Sequence, residues 1–343
     1  MLVPDLRKLL GQYKAEELRL IVLELYKAIP KKLREQKDVD SLLQDARAYG
    51  KGEKGEKPEG NTDSLTDFCS TSDEISLFLE YGYAQYYMAP NRLVHKKDRP
   101  KWRFKAKAYI KALQQVPVGS ADGPQATELL EKLYAMLSYA CSYYLFNSDN
   151  PYASVGIMQP VLFDSIIARK LELDINPETI KSCISLALNH PLDRETVYFD
   201  LDMQLLCRLK TPDMREMAIS QCSVLLHELK WAKPPAAKDS SALRSFRYAI
   251  AEKANHLSIL GFTLHMAQSE PGDAVAFYKK NAVHSDPEIT LYILLNNLQI
   301  HGCTVQWVQE YESAKEKGVK ARPGLVKFRQ YIEENGKMPD GYL

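Results

Sequence analysis

The chain has 343 residues, with 45 Lys and Arg against 44 Asp and Glu, a formal net charge of +1, and a 45% hydrophobic composition. That balance excludes a disordered chain, and it gives no global electrostatic pull toward nucleic acid or membrane. Any such binding must come from a local patch.

No apolar run approaches the ~20 residues that span a bilayer. The opening residues Met1-Leu2-Val3-Pro4-Asp5 lack the basic flank and apolar stretch of a signal peptide. The six cysteines, Cys69, Cys141, Cys183, Cys207, Cys222 and Cys303, include no Cys-x-x-Cys pair and read as reduced thiols. A soluble, cytoplasmic protein is the expectation.

Helical periodicity runs from end to end. Leu6, Leu9 and Leu10 mark a short helix over Asp5–Tyr13. Leu18, Ile21, Val22 and Leu25 mark a second over Glu16–Ala28, stopped by Pro30. The two predict an N-terminal hairpin within residues 1–49, and Leu33–Tyr49 adds a further helix. Gly50–Asn61 has no apolar residue and several glycines, so 50–71 reads as a linker. It lacks the Gly-x-x-x-x-Gly-Lys-Ser/Thr order of a phosphate loop.

Ser72 and Asp73 offer an N-cap for a helix through Met88, with Ile75, Phe78, Leu79 and Tyr83 on its apolar face. Pro100–Val116, Gln125–Phe146, Gln159–Glu172, Pro177–Asn189, Glu195–Leu209 and Asp213–Leu229 follow, several opening on proline. Asn147–Pro151 reads as a turn. Together 72–229 reads as a helical domain, 230–241 as a loop, and 242–343 as a region of helix pairs. No segment alternates as a strand does. The fold class is all-α: stacked antiparallel helix pairs, with a small N-terminal helical hairpin.

In the last third the pairs Asn255–Ala267 with Asp273–Ala282, and Glu288–His301 with Val305–Lys317, align with an offset of 34 residues. Leu257 falls on Leu291, Leu260 on Leu294, Leu264 on Leu298, and Phe277 on Tyr311. Gly261 and Ala314 supply small residues, and Pro287 closes a unit. Over Asn255–Val319 this resembles the tetratricopeptide repeat class. The resemblance implies an α-solenoid whose surface binds protein or peptide. The chain departs from that pattern at Lys280 and Trp307, where the class prefers small residues, and at Leu295, which replaces the glycine. The words Leu6-Arg7-Lys8-Leu9-Leu10 and Glu16-Glu17-Leu18 through Leu25-Tyr26-Lys27 are similar to the opening of uncharacterised bacterial helical proteins, a resemblance that implies no activity.

The most distinctive local chemistry is the basic segment of Arg92, Lys96, Lys97, Arg99, Lys101, Arg103, Lys105 and Lys107, with Asp98 its one acid and Trp102 and Phe104 interleaved. A helix from Pro100 puts Trp102, Ala106, Tyr109, Ile110 and Leu113 on one face and the cations on the flanks and back. Such cations can engage phosphates or an acidic surface. The simpler reading is the solvated side of an ordinary amphipathic helix, stems laid over apolar neighbours.

Asp193, Glu195, Asp200 and Asp202 near His190 could hold a metal or an acid/base pair. However, Asp200 and Asp202 point about 200° apart on a helix, so capping by Asp193 and Glu195 is the simpler role. His227, His256, His265, His284 and His301 have no zinc-site spacing. No Gly-x-Ser-x-Gly or dinucleotide fingerprint occurs. Tyr81, Tyr83, Tyr86 and Tyr87, with Tyr139, Tyr143 and Tyr144, form aromatic clusters that pack adjacent helices or line a groove.

No catalytic residue, metal site or cofactor emerges. The expected function is a noncatalytic protein- or peptide-binding scaffold. The alternative is contact with nucleic acid through 92–107, and an enzyme of unrecognised type comes third.

Overall fold

The computed structural model describes residues 12–29, 64–84, 101–143, 145, 148–234 and 240–339. These form fourteen α-helices and no strand. The expected helices over Asp5–Tyr13 (all but its end) and Leu33–Tyr49, the Gly50–Asn61 stretch and the basic residues 92–99 lie outside the described residues. The chain divides into two compact units, Met1–Asp67 and Phe68–Leu343.

In the first unit, α1 (Ala15–Ala28) matches the expected second helix. Its Leu20, Val22, Leu23 and Leu25 are all exposed, and the backbone N–H of Lys14 donates to Glu17 Oε2 at 2.7 Å.

The second unit begins within α2 (Ser64–Ala84), which starts eight residues before the expected cap. Ser72 is therefore not an N-cap. It sits in mid-helix, where its hydroxyl accepts from Gln125 Nε2 at 2.9 Å and its carbonyl accepts from Ser76 Oγ. A serine can bond locally or across helices, and here tertiary packing chose the second.

Next come α3 (Lys101–Gln115), α4 (Gly123–Tyr143), the one-turn α5 (Pro151–Val155), α6 (Gln159–Leu173), α7 (Pro177–Leu188), α8 (Tyr198–Arg208) and α9 (Pro212–Lys230). Then follow α10 (Ser240–Ala267), α11 (Pro271–Asn281), α12 (Pro287–Ile300), α13 (Thr304–Glu316) and α14 (Pro323–Asn335). Proline stands in the first turn of eight of these. There its missing N–H has no intrahelical partner to lose. Asn150, Asn176, Thr211 and Asp286 cap α5, α7, α9 and α12 by accepting a backbone N–H. Glu195 is not helical: α8 starts at Tyr198. Asp193 Oδ1 instead holds the preceding turn, accepting from the N–H groups of Glu195 and Thr196 at 3.0 and 2.7 Å.

Packing follows chain order: α3 lies on α4, α4 on α6, and α6 on both α7 and α8. α7 lies on α9, α9 on α10, and the series continues through α11, α12 and α13. This is a stack of helices, each sealed by its neighbours.

Two buried clusters result. The first runs from Phe68 to Leu264 and centres on α4, α6 and α7. The second holds Phe262, Tyr278, Leu294, Trp307, Phe328 and their neighbours. α10 belongs to both, Leu257, Leu260 and Leu264 facing the first and Phe262 the second.

Beneath α11 the approach is close. A Cβ on Gly261 would stand 2.1 Å from the Phe277 ring, so only glycine fits there. The aligned leucines Leu257, Leu291, Leu260, Leu294, Leu264 and Leu298 are all buried.

A further helix continues the spacing. In α14 the buried residues are Leu325, Phe328 and Ile332, each 34 beyond Leu291, Leu294 and Leu298. Gly302 and Gly336, also 34 apart, follow α12 and α14 with the same left-handed φ of 69°.

Candidate functional site

Of the eight basic candidates, Lys101, Arg103, Lys105 and Lys107 lie on α3, while Arg92, Lys96, Lys97 and Arg99 are outside the described residues. The buried stripe of α3 is the one its periodicity predicts: Trp102, Ala106, Tyr109, Ile110 and Leu113. Tyr109 fixes the helix to α2. Its ring packs edge-on against Phe78 at 5.5 Å, and its hydroxyl donates to Glu74 Oε2 at 3.1 Å. Burial, reinforced by the Glu74 carboxylate, pushes that phenol up to about 12.

The opposite face carries the cations together with the interleaved Phe104. At about 100° per residue, Phe104 falls half a turn round from Leu113. It is 62% exposed, an aromatic ring at the centre of the outward surface. Lys101 and Lys105 stand to one side, and Lys107 and Arg103 to the other. Lys111, which the sequence reading had not singled out, continues the line of Phe104 two turns on and is exposed.

No acidic residue occurs anywhere in Lys101–Gln115. Among the described residues no ion pair engages Arg103, Lys105, Lys107 or Lys111. The Arg103 guanidinium lies 4.8 Å from the Phe104 centroid, a cation–π contact that braces one face of the ring. The Lys107 ammonium rests over Gly156, 3.4 Å from where a Cβ would stand. The result is a rigidly backed, cation-only face around an exposed π surface.

The acidic cluster does not converge. Asp200 Oδ2 accepts the backbone N–H of Val197 at 3.0 Å, completing the entry to α8. Asp202, on another side of α8, is buried, and both its oxygens lie 2.9 Å from His256 Nε2, across which Tyr198 packs. Asp193, Asp200 and Asp202 are each used for structure. Among the described residues no three His, Cys, Asp or Glu side chains gather as a metal site.

His190 packs edge-on to Tyr134, and burial lowers its affinity for a proton. The tyrosines form a ladder at the edge of the first buried cluster, against which Tyr139 packs. Tyr83 of α2 tilts against Tyr139 of α4 at 5.4 Å, and Tyr139 stacks on Tyr143 at 4.1 Å, with Tyr83 and Tyr143 half exposed. Tyr86, Tyr87 and Tyr144 are outside the described residues.

What the sequence did not reveal is Gln159. Fully buried at the start of α6, it donates through Nε2 to the Pro191 carbonyl at 3.0 Å and reaches Ser138 Oγ and Tyr134 Oη at 3.2 and 3.3 Å. Its Oε1 accepts the N–H of Asp193 at 2.8 Å. Tyr152 joins Ser138 at 2.7 Å and donates to the Tyr134 carbonyl. The knot ties α4, α5, α6 and the loop before α8 together. It has no exposed reactive group, and its work is cohesion.

Among the described residues no helix is long and apolar enough to cross a membrane. Comparison with protein-family models, with curated proteins and with solved structures finds no match.

Proposed function

We propose that the protein is a noncatalytic scaffold whose helical array from α10 to α14 holds a protein or peptide partner. The observation that carries this reading is the 34-residue spacing of buried positions across α10, α12 and α14. Leu257, Leu291 and Leu325 form one row, Leu260, Leu294 and Phe328 a second, and Leu264, Leu298 and Ile332 a third. The likeness extends to local bonds: Thr263 and Asn297, 34 apart, each donate to the carbonyl four residues back, at Ile259 and Ile293. When buried positions recur, outward positions recur with them, giving an extended ladder of equivalent side chains suited to a long partner segment. This supports the tetratricopeptide-like reading of the region.

The test is site-specific photo-crosslinking from Ile289, Ile300, Val305 and Glu334, with Leu77 on α2 as the control. One polypeptide captured from several array positions and not from Leu77 is the expected result. Capture that is equal at Leu77, or absent from all four array positions, ends the scaffold reading.

The α3 face favours a second reading, contact with nucleic acid. Its specific support is the set Arg103, Lys105, Lys107 and Lys111, which no described acidic residue engages, since phosphate neutralisation is what such residues offer. Glutamate at Lys101, Arg103 and Lys105 together should abolish a salt-sensitive binding that the native chain displays. No binding to DNA or RNA at low salt removes the reading.

A further inference from the structure

We propose that the outward face of α3 is a docking track for single-stranded nucleic acid, with phosphates on its lysines and one base stacked on Phe104. The inference rests on the nucleic-acid reading and goes beyond it by naming the form of the ligand.

Charge supplies the first argument. Lys101, Arg103, Lys105, Lys107 and Lys111 occupy one fifteen-residue helix with no acid among them. Lys101 and Lys105, and likewise Lys107 and Lys111, are four residues apart, a rise of about 6 Å along the axis. That is of the order of the step between successive phosphates on an extended strand, so each row can follow a backbone rather than meet a single anion.

Phe104 supplies the second argument. A ring at the centre of a cationic face has no counterpart on a duplex, whose exterior offers phosphates and whose base faces are hidden. Reading a duplex through its grooves calls for polar side chains aimed at base edges. An unpaired strand exposes base faces, and stacking on an aromatic ring is the interaction they lack. Arg103 already lies on one side of the Phe104 ring, so an incoming base completes a base–ring–guanidinium stack at little ordering cost. An acidic peptide would satisfy the lysines but leaves the braced ring without a matching surface.

The anchoring of α3 supplies the third. Trp102, Ala106, Tyr109, Ile110 and Leu113 fix the opposite side, and the Tyr109 bond to Glu74 sets the helix rotation. The cations and the ring therefore stand on a preformed support rather than on a segment that must fold on contact.

The experiment is fluorescence anisotropy on the full chain, titrated at several salt concentrations. The probes are a labelled oligothymidine of about twelve nucleotides, a duplex of the same length, and a polyglutamate peptide. The oligothymidine should bind best. Phe104→Ala should weaken it by about 5- to 100-fold while leaving the salt slope unchanged, and Phe104→Trp should preserve it. Lys105→Ala with Lys111→Ala should reduce the salt slope by about 1.4, two contacts at about 0.7 each. All these positions are exposed, and circular dichroism verifies that the variants fold.

If the duplex binds as well as the single strand and Phe104→Ala changes nothing, the single-strand inference falls while the nucleic-acid reading stands. If no nucleic acid binds at low salt, both fall. Tighter binding of polyglutamate than of either oligonucleotide overturns both in favour of an acidic partner.

Discussion

Around Gln159 the first buried cluster of the 68–343 unit carries a hydrogen-bonded polar knot that reaches into a loop. Around Trp307 the second cluster is apolar and stacked: the indole lies 5.5 Å from the Tyr311 ring and 5.2 Å from Phe328, at interplanar angles of 9° and 28°. Trp307 is fully buried, and its Nε1 has no hydrogen-bond acceptor among the described residues. The first cluster assembles helices of unequal length with an irregular interval, so side-chain bonds fix which surfaces meet. The second repeats one interval and fills its interior by shape, its polar bonds, such as Arg322 to Glu288 and Arg329 to Glu312, lying at the margin. Specificity by polar satisfaction and specificity by volume thus sit side by side in one chain, and they should fail differently.

Trp307→Ala removes the largest fully buried side chain and should cost about 3–5 kcal/mol in urea unfolding. Trp307→Phe should recover most of that loss, because it keeps a ring while deleting the orphaned N–H. If Phe is as damaging as Ala, the shape argument for the second cluster is wrong. Gln159→Leu keeps the volume but strands the Asp193 N–H and the Pro191 carbonyl, and should cost about 2–3 kcal/mol. A near-neutral result there would mean that water replaces the knot and that the contrast between the clusters is only apparent.

Gly261→Ala places a methyl against Phe277 and should cost about 1–3 kcal/mol, despite alanine's better helix propensity. Adding Phe277→Leu should restore part of it, measured as a double-mutant cycle.

The smallest effect is with pH. Burial lowers the proton affinity of His190, His284 and His301 below the ordinary imidazole value of 6.5. Below that value the unfolded chain takes up protons while the folded imidazoles stay neutral. Stability is therefore full above about pH 6.5 and declines as pH falls. Two of the three histidines stand on or beside the second cluster, so His284→Gln with His301→Gln should flatten the dependence more than His190→Gln does.

How much of this could be read in the chain follows from where the determining contacts lie. The stripe on α3 repeats at helical intervals, and the local pattern alone names it. The α14 helix is equally legible, since Pro323 followed by Leu325, Phe328 and Ile332 has a proline start and apolar spacing. Ser72 misled because serine caps helices and also bonds across them, a choice made by Gln125 from 53 residues away. Gln159 gave no signal at all, because its partners come from α4 and from a loop more than 30 residues downstream. At the candidate site the cations were visible. Phe104 was visible among them too, and what the pattern does not state by itself is that its ring stands bare at the centre of the outward face.

The 28-residue α10 acts as a joist shared by two rooms. Leu260 and Phe262 leave it two positions apart, yet are embedded in different clusters. Neither cluster can melt without exposing a wall of the other, so damage inside the 34-residue array should propagate to α4 and α6 rather than remain local. Hydrogen exchange should then find the amides around Leu257–Leu264 among the last to open, and denaturation of 68–343 should follow a single curve.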